Sequence, residues 1–180
     1  MEIAVAQQDM RDAYFGGAPG MLVSSTAWLT AALIAIHQSP QRAVIALFIG
    51  GILIHPVSMV LTKLLGRSSR HSPGNPLGLL ALETTIWLIA CLPLAYVVSK
   101  FRIEWFFPAM LLVIAGRYFV FASVFGSRIF WACGAALVAA AYVLVKLQAP
   151  PEVGAFAGAA IEALFSATIF ARSRLPARAT

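Results

Sequence analysis

Apolar residues run through this chain in six long blocks, separated by short polar breaks. The blocks are about Pro19–Ile36, Ala43–Leu65, Leu77–Val98, Phe106–Phe125, Ile129–Leu147 and Val153–Ala171. Each is close to the roughly 20 residues that an α-helix rising ~1.5 Å per residue needs to cross a ~30 Å hydrocarbon layer. The pattern predicts an all-α membrane protein, a six-helix transmembrane bundle. The breaks carry turn chemistry. Gly16–Gly20 precedes the first helix, with Pro19 suited to its first turn, and His37–Arg42 forms a tight turn. Gly66–Pro76 is a basic loop rich in turn formers, Ser99–Glu104 is a short charged connection edged by Trp105, and Gln148–Glu152 is the last turn. Residues 1–15 form a polar lead with the makeup of a short surface helix, 16–171 the membrane domain, and 172–180 a basic tail.

Composition narrows this further. Of 180 residues, 61% are hydrophobic and only 11% charged, against about a quarter charged in soluble domains. The net charge of +6 does not point to nucleic acid, because the basic residues fall at helix ends rather than along one stripe. They point instead to lipid headgroups. Six crossings put both ends of the chain on one side, together with Arg11, Lys63, Arg67, Arg70, Arg128, Arg172, Arg174 and Arg178. The other side keeps Arg42, Lys100, Arg102 and Lys146, and eight against four places both termini in the cytoplasm. Cys91 and Cys133 both fall inside apolar blocks, with no CxxC spacing, and read as small buried hydrophobes.

The candidate chemistry is the set of ionisable groups inside the blocks. Arg117 stands in the fourth, Glu83 in the third, Glu162 in the sixth and His55 in the second, followed by Pro56, where a kink is expected. Counted from the helix ends, these four lie at about 10–17 Å depth, and Ser24 and Ser25 reach the same level. A guanidinium inside hydrocarbon must find acceptors, and Glu83 and Glu162 are the intramembrane carboxylates that could supply them. An internal ion-pair network around Arg117 is therefore expected. It serves either a polar cavity for an ion or small solute, or only the packing of helices. His55, Glu83 and Glu162 stand at no metal-ligand spacing, so no metal is assigned, and no motif points to a cofactor or an enzymatic reaction. The pairs Gly16/Gly20 and Gly154/Gly158 have small-xxx-small spacing, and the second is a candidate surface for a homo-oligomer.

Five short strings carry a resemblance. They are GGAPG at Gly16–Gly20, IHP at Ile54–Pro56, NPLG at Asn75–Gly78, WFFPAM at Trp105–Met110 and GRY at Gly116–Tyr118. From about Tyr14 to Phe130 the chain resembles a family of small, uncharacterised bacterial integral-membrane proteins. The resemblance implies a bacterial inner-membrane location and importance for His55, Asn75, Glu83 and Arg117, and no reaction. The expected function is a transporter-like or solute- or ion-binding bundle with a buried polar layer of His55, Glu83, Arg117, Glu162, Ser24 and Ser25. The alternatives are an oligomeric structural or regulatory membrane protein whose ion pairs only pack helices, and a lipid-acting membrane enzyme that meets headgroups through the Gly66–Pro76 loop.

Overall fold

The computed structural model describes residues 1–174. Seven α-helices follow one another as α1 (Ile3–Tyr14), α2 (Ala18–His37), α3 (Pro40–Leu64), α4 (Pro76–Phe101), α5 (Phe106–Phe125), α6 (Ile129–Lys146) and α7 (Pro151–Arg174). Residues 175–180 of the expected basic tail lie outside the described residues. Among the described residues, six helices are long and apolar enough to cross a membrane, so the chain is a polytopic membrane protein. Local chemistry starts and stops them. Ser39 and Asn75 cap α3 and α4 through their side chains, with Pro40 and Pro76 in the first turn of each. Helix α3 runs on through Pro56, and α4 through Pro93.

One large contact joins helices far apart in sequence, and the other main contacts join consecutive helices. Helix α2 packs most extensively on α7 and then on α3, α5 packs on α6 and α4, and α6 also meets α7. The core therefore lies along α2, α7, α5 and α6, where Trp28, Phe106, Phe107, Phe130, Leu111 and Leu137 are fully enclosed. Helices α3 and α4 flank this row, and most of their apolar side chains face outward, where lipid would cover them.

The polar lead is a seventh helix, and it does not continue into α2. Phe15, Gly16 and Gly17 take φ of 54°, 61° and 85°, a left-handed turn that folds α1 back across the ends of α4 and α5. Its apolar positions Ala6, Met10 and Ala13 recur every three or four residues and are all buried. Its polar side chains cap the end of α5, where helix carbonyls lack partners. Gln7 Nε2 donates to the Ser123 carbonyl at 2.8 Å and Arg11 Nη1 to that of Phe125 at 2.6 Å.

The Gly66–Pro76 loop closes over α1 rather than projecting freely. Asp9 accepts from Ser72 N and Ser72 Oγ, each at 2.9 Å, and from Asn75 Nδ2 at 2.8 Å. Asn75 Nδ2 also donates to the Ala6 carbonyl at 3.0 Å, Ser69 N donates to the Ala13 carbonyl at 3.1 Å, and Tyr14 Oη and His71 Nδ1 lie 2.8 Å apart. These donors, the Asn75 amide first and the Ser72 backbone N–H next, hold the Asp9 carboxyl below its ordinary pKa of 3.8. A lowered folded-state pKa means that this contribution is complete above pH 3.8 and disappears as pH falls below it. The protection of α1 amides against hydrogen exchange, taken relative to their intrinsic rates, is expected to fall below that pH, and this pH dependence should vanish in Asp9→Asn.

Candidate functional site

The α2–α7 seam builds the site. Along α7, Ala155, Gly158, Ala159, Glu162, Ser166 and Ile169 are all buried at spacings of one to four residues, which lines one face of the helix. Small residues let α2 come close. A Cβ on Gly158 would stand 2.6 Å from Trp28 Cδ2, and one on Gly154 2.8 Å from Phe107 Cβ. Hydroxyls then staple the seam at two levels. Ser25 Oγ donates to the Ala159 carbonyl at 2.9 Å and Ser166 Oγ to that of Ala18 at 2.8 Å.

Between those staples lies Glu162, with no solvent-accessible surface. Its Oε1 accepts a hydrogen bond from Tyr118 Oη of α5 at 2.8 Å, while Oε2, equally enclosed, makes no hydrogen bond among the described residues. Ser24 and Trp28, one turn apart on α2, flank the carboxyl. Tyr118 itself is held by aromatic neighbours, stacked against Phe130 at 6.0 Å and edge-on to Phe121 at 6.1 Å.

Arg117, next along α5, turns the other way. Nη2 donates to Thr85 Oγ1 of α4 at 3.1 Å, and the guanidinium lies over the Phe121 ring, 4.9 Å from its centre. Its Nε is buried without a hydrogen-bond partner among the described residues. The expected ion pair does not form, because neither Glu83 nor Glu162 comes within 4.0 Å of Arg117 among the described residues. The reason is geometric. Consecutive residues on a helix point about 100° apart, so when Tyr118 reaches α7, Arg117 points towards α4.

The expected layer therefore divides. Glu162, Ser24 and Ser25 come together in the core, with Arg117 half-buried beside them. His55 and Glu83 are exposed on the outer flanks of α3 and α4 and do not join. Equal depth along separate helices places residues at one level but not on facing sides, and His55 and Glu83 sit off the stripes that pack on α2 and α5. The Gly154/Gly158 face is also unavailable to a second copy through the predicted surface, since Phe107 and Trp28 of the same chain fill it. Tyr118, Thr85 and Trp28 were not anticipated. The GRY string held Tyr118 in view, but nothing in the sequence ranked its hydroxyl above the neighbouring guanidinium as a partner for Glu162.

In chemical terms, the centre offers one enclosed carboxyl, one phenol that orients it, and Ser24 beside it. A carboxyl so placed has to be neutralised by a proton or by an incoming cation. The chain belongs to a family of unknown function (DUF7010), whose model matches residues 3–172. No curated protein and no solved structure matches.

Proposed function

We propose that the protein is a bacterial inner-membrane bundle, with both termini in the cytoplasm, that binds a proton, a cation or a small cationic solute at Glu162 and passes it through the membrane. The observation that carries this reading is the fully enclosed carboxyl of Glu162, whose Oε2 makes no hydrogen bond and no ion pair among the described residues. Buried ionisable groups in membrane helices are costly, and they tend to mark ion and proton pathways. Tyr118 would orient the carboxyl, Ser24 would line the approach from α2, and Arg117 would set the local potential from the far side of Tyr118. The eight-to-four distribution of basic residues supports the orientation.

A second reading is favoured by the four interhelical hydrogen bonds of Ser25, Ser166, Tyr118 and Arg117. In it, these polar groups only fasten helices. Glu162→Gln separates the two, because it keeps the shape and an acceptor for Tyr118 while removing the charge. Purified protein is to be melted across pH 5–9 and against a panel of monovalent cations, divalent cations and amines. On the binding reading, one of these conditions raises the wild-type melting temperature and Glu162→Gln folds but loses that response. If the wild type responds to none of them, or the variant responds equally, the fastening role stands and transport is abandoned.

A further inference from the structure

A second site lies outside the membrane core, where α1, the loop after α3 and the ends of α5 and α7 meet. A cleft opens there between Arg11 and Asp12 of α1, Arg67 of the loop and Arg172 of α7. Its floor is apolar, made by Phe15, Phe125, Ile129 and Ile169, and Ser127 stands at its side. Three guanidiniums face one carboxylate across this opening, so the cleft carries a surplus of positive charge.

Two of the arginines, Arg11 and Arg67, are held in place. Arg11 is fixed by the Phe125 carbonyl and by Gln8 Oε1, which accepts from Nη2 at 2.6 Å and from Nε at 3.2 Å. Arg67 lies over the Phe15 ring at 5.1 Å, with its Nη1 4.0 Å from Asp12 Oδ1. Phe15 occupies left-handed backbone at φ 54°, a conformation that costs a phenylalanine energy, and Phe170 packs against its ring at 5.5 Å. The turn at Phe15 thus places an aromatic ring where it forms the floor and supports Arg67 at the rim.

We infer that this cleft binds a phosphate group, with Arg11, Arg67 and Arg172 on its oxygens and the apolar floor under the adjoining carbon chain. Planar guanidiniums fit tetrahedral oxyanions through paired donors, and stacking on aromatic rings leaves those donors facing outward. The cleft sits at the level of the helix ends, where lipid phosphates lie, and basic residues near an anionic leaflet are drawn to it. The phosphate can belong to an anionic phospholipid or to a soluble phosphate ester, and the floor suits the lipid better.

The test uses the full-length protein in neutral detergent. Short-chain phosphatidylglycerol, short-chain phosphatidylcholine and inorganic phosphate are each titrated, and retained ligand is read by native mass spectrometry with melting temperature alongside. Arg67→Gln and Arg172→Gln are compared with Arg128→Gln, an exposed arginine on the same side that does not line the cleft. Arg67 is 41% exposed, so its replacement should leave the fold intact. Retention of phosphatidylglycerol, weakened about tenfold by either cleft substitution and not by Arg128→Gln, supports the site with a lipid source. The same dependence seen with inorganic phosphate supports it with a soluble source. Retention that is the same in the wild type and both cleft variants, or is lost equally in all three variants, overturns it, since apolar contact or general surface charge would then explain the binding.

Discussion

Gly158→Leu is expected to destabilise the bundle more than any other single substitution on the surface of α7. The added Cβ alone would stand 2.6 Å from the Trp28 ring, and Trp28 has no room to retreat because it is fully buried against Phe107. Overpacking of this kind costs about 1–3 kcal/mol, and a branched side chain at so close a seam should reach the upper end. Thermal unfolding in detergent measures it, with Gly51→Ala as the control, because a Cβ at Gly51 meets nothing within 4 Å. A fall in melting temperature with unchanged oligomeric size is the expected result. A variant that melts normally but changes its oligomeric size would mean that the glycine face meets a second chain.

Asn75→Ala should have an effect of comparable size, through two roles of one side chain. Its Oδ1 caps α4 by accepting from Leu77 N at 3.0 Å, and losing such a cap costs about 1 kcal/mol. Its Nδ2 serves the Ala6 carbonyl and Asp9, and stranding a buried acceptor costs about 1–3 kcal/mol more. Cleavage within residues 66–75 by a protease added to the purified protein should therefore rise sharply. Asn75→Asp separates the roles. It keeps the capping acceptor, loses the donors and sets a second carboxylate against Asp9, so α1 should loosen at neutral pH while α4 remains capped. If Asn75→Asp resists the protease as well as the wild type, the amide donors are not what holds α1 down.

The membrane class and the six spanning helices were legible because both follow from apolar length, and the helix ends were marked by Ser39-Pro40, Asn75-Pro76 and Gly126. The glycine spacing at Gly154 and Gly158 also announced a close helix approach. Which helix would approach was not legible, since small residues state only that something packs there. The candidate site was half legible for a related reason. Depth can be counted along a helix, and it put Glu162, Ser24 and Ser25 at one level. Azimuth depends on which neighbours a helix acquires, and so the sequence could not separate the inward Glu162 from the outward His55 and Glu83. Arg117 drew the ion-pair expectation because it is the only intramembrane cation of its kind, yet Thr85 and Phe121 satisfy much of it. The loop after α3 held its own cue in Asn75, but the partner Asp9 lies 66 residues away and no local pattern joins them.

The pairing of α2 with α7 has a consequence for how the protein is made. Helix α2 leaves the ribosome before α3–α7, and a large part of the face it buries in the finished molecule belongs to α7. During synthesis, the Ser24–Trp28 edge must wait in the bilayer or against the insertion machinery, with only α3 for company, while four more helices are inserted. The carboxyl of Glu162 enters at the very end of this sequence, into a slot whose other walls are already standing. Arrival of α7 and closure of the core are thus one event, and a nascent chain halted before α7 is open along the whole seam that α7 would fill.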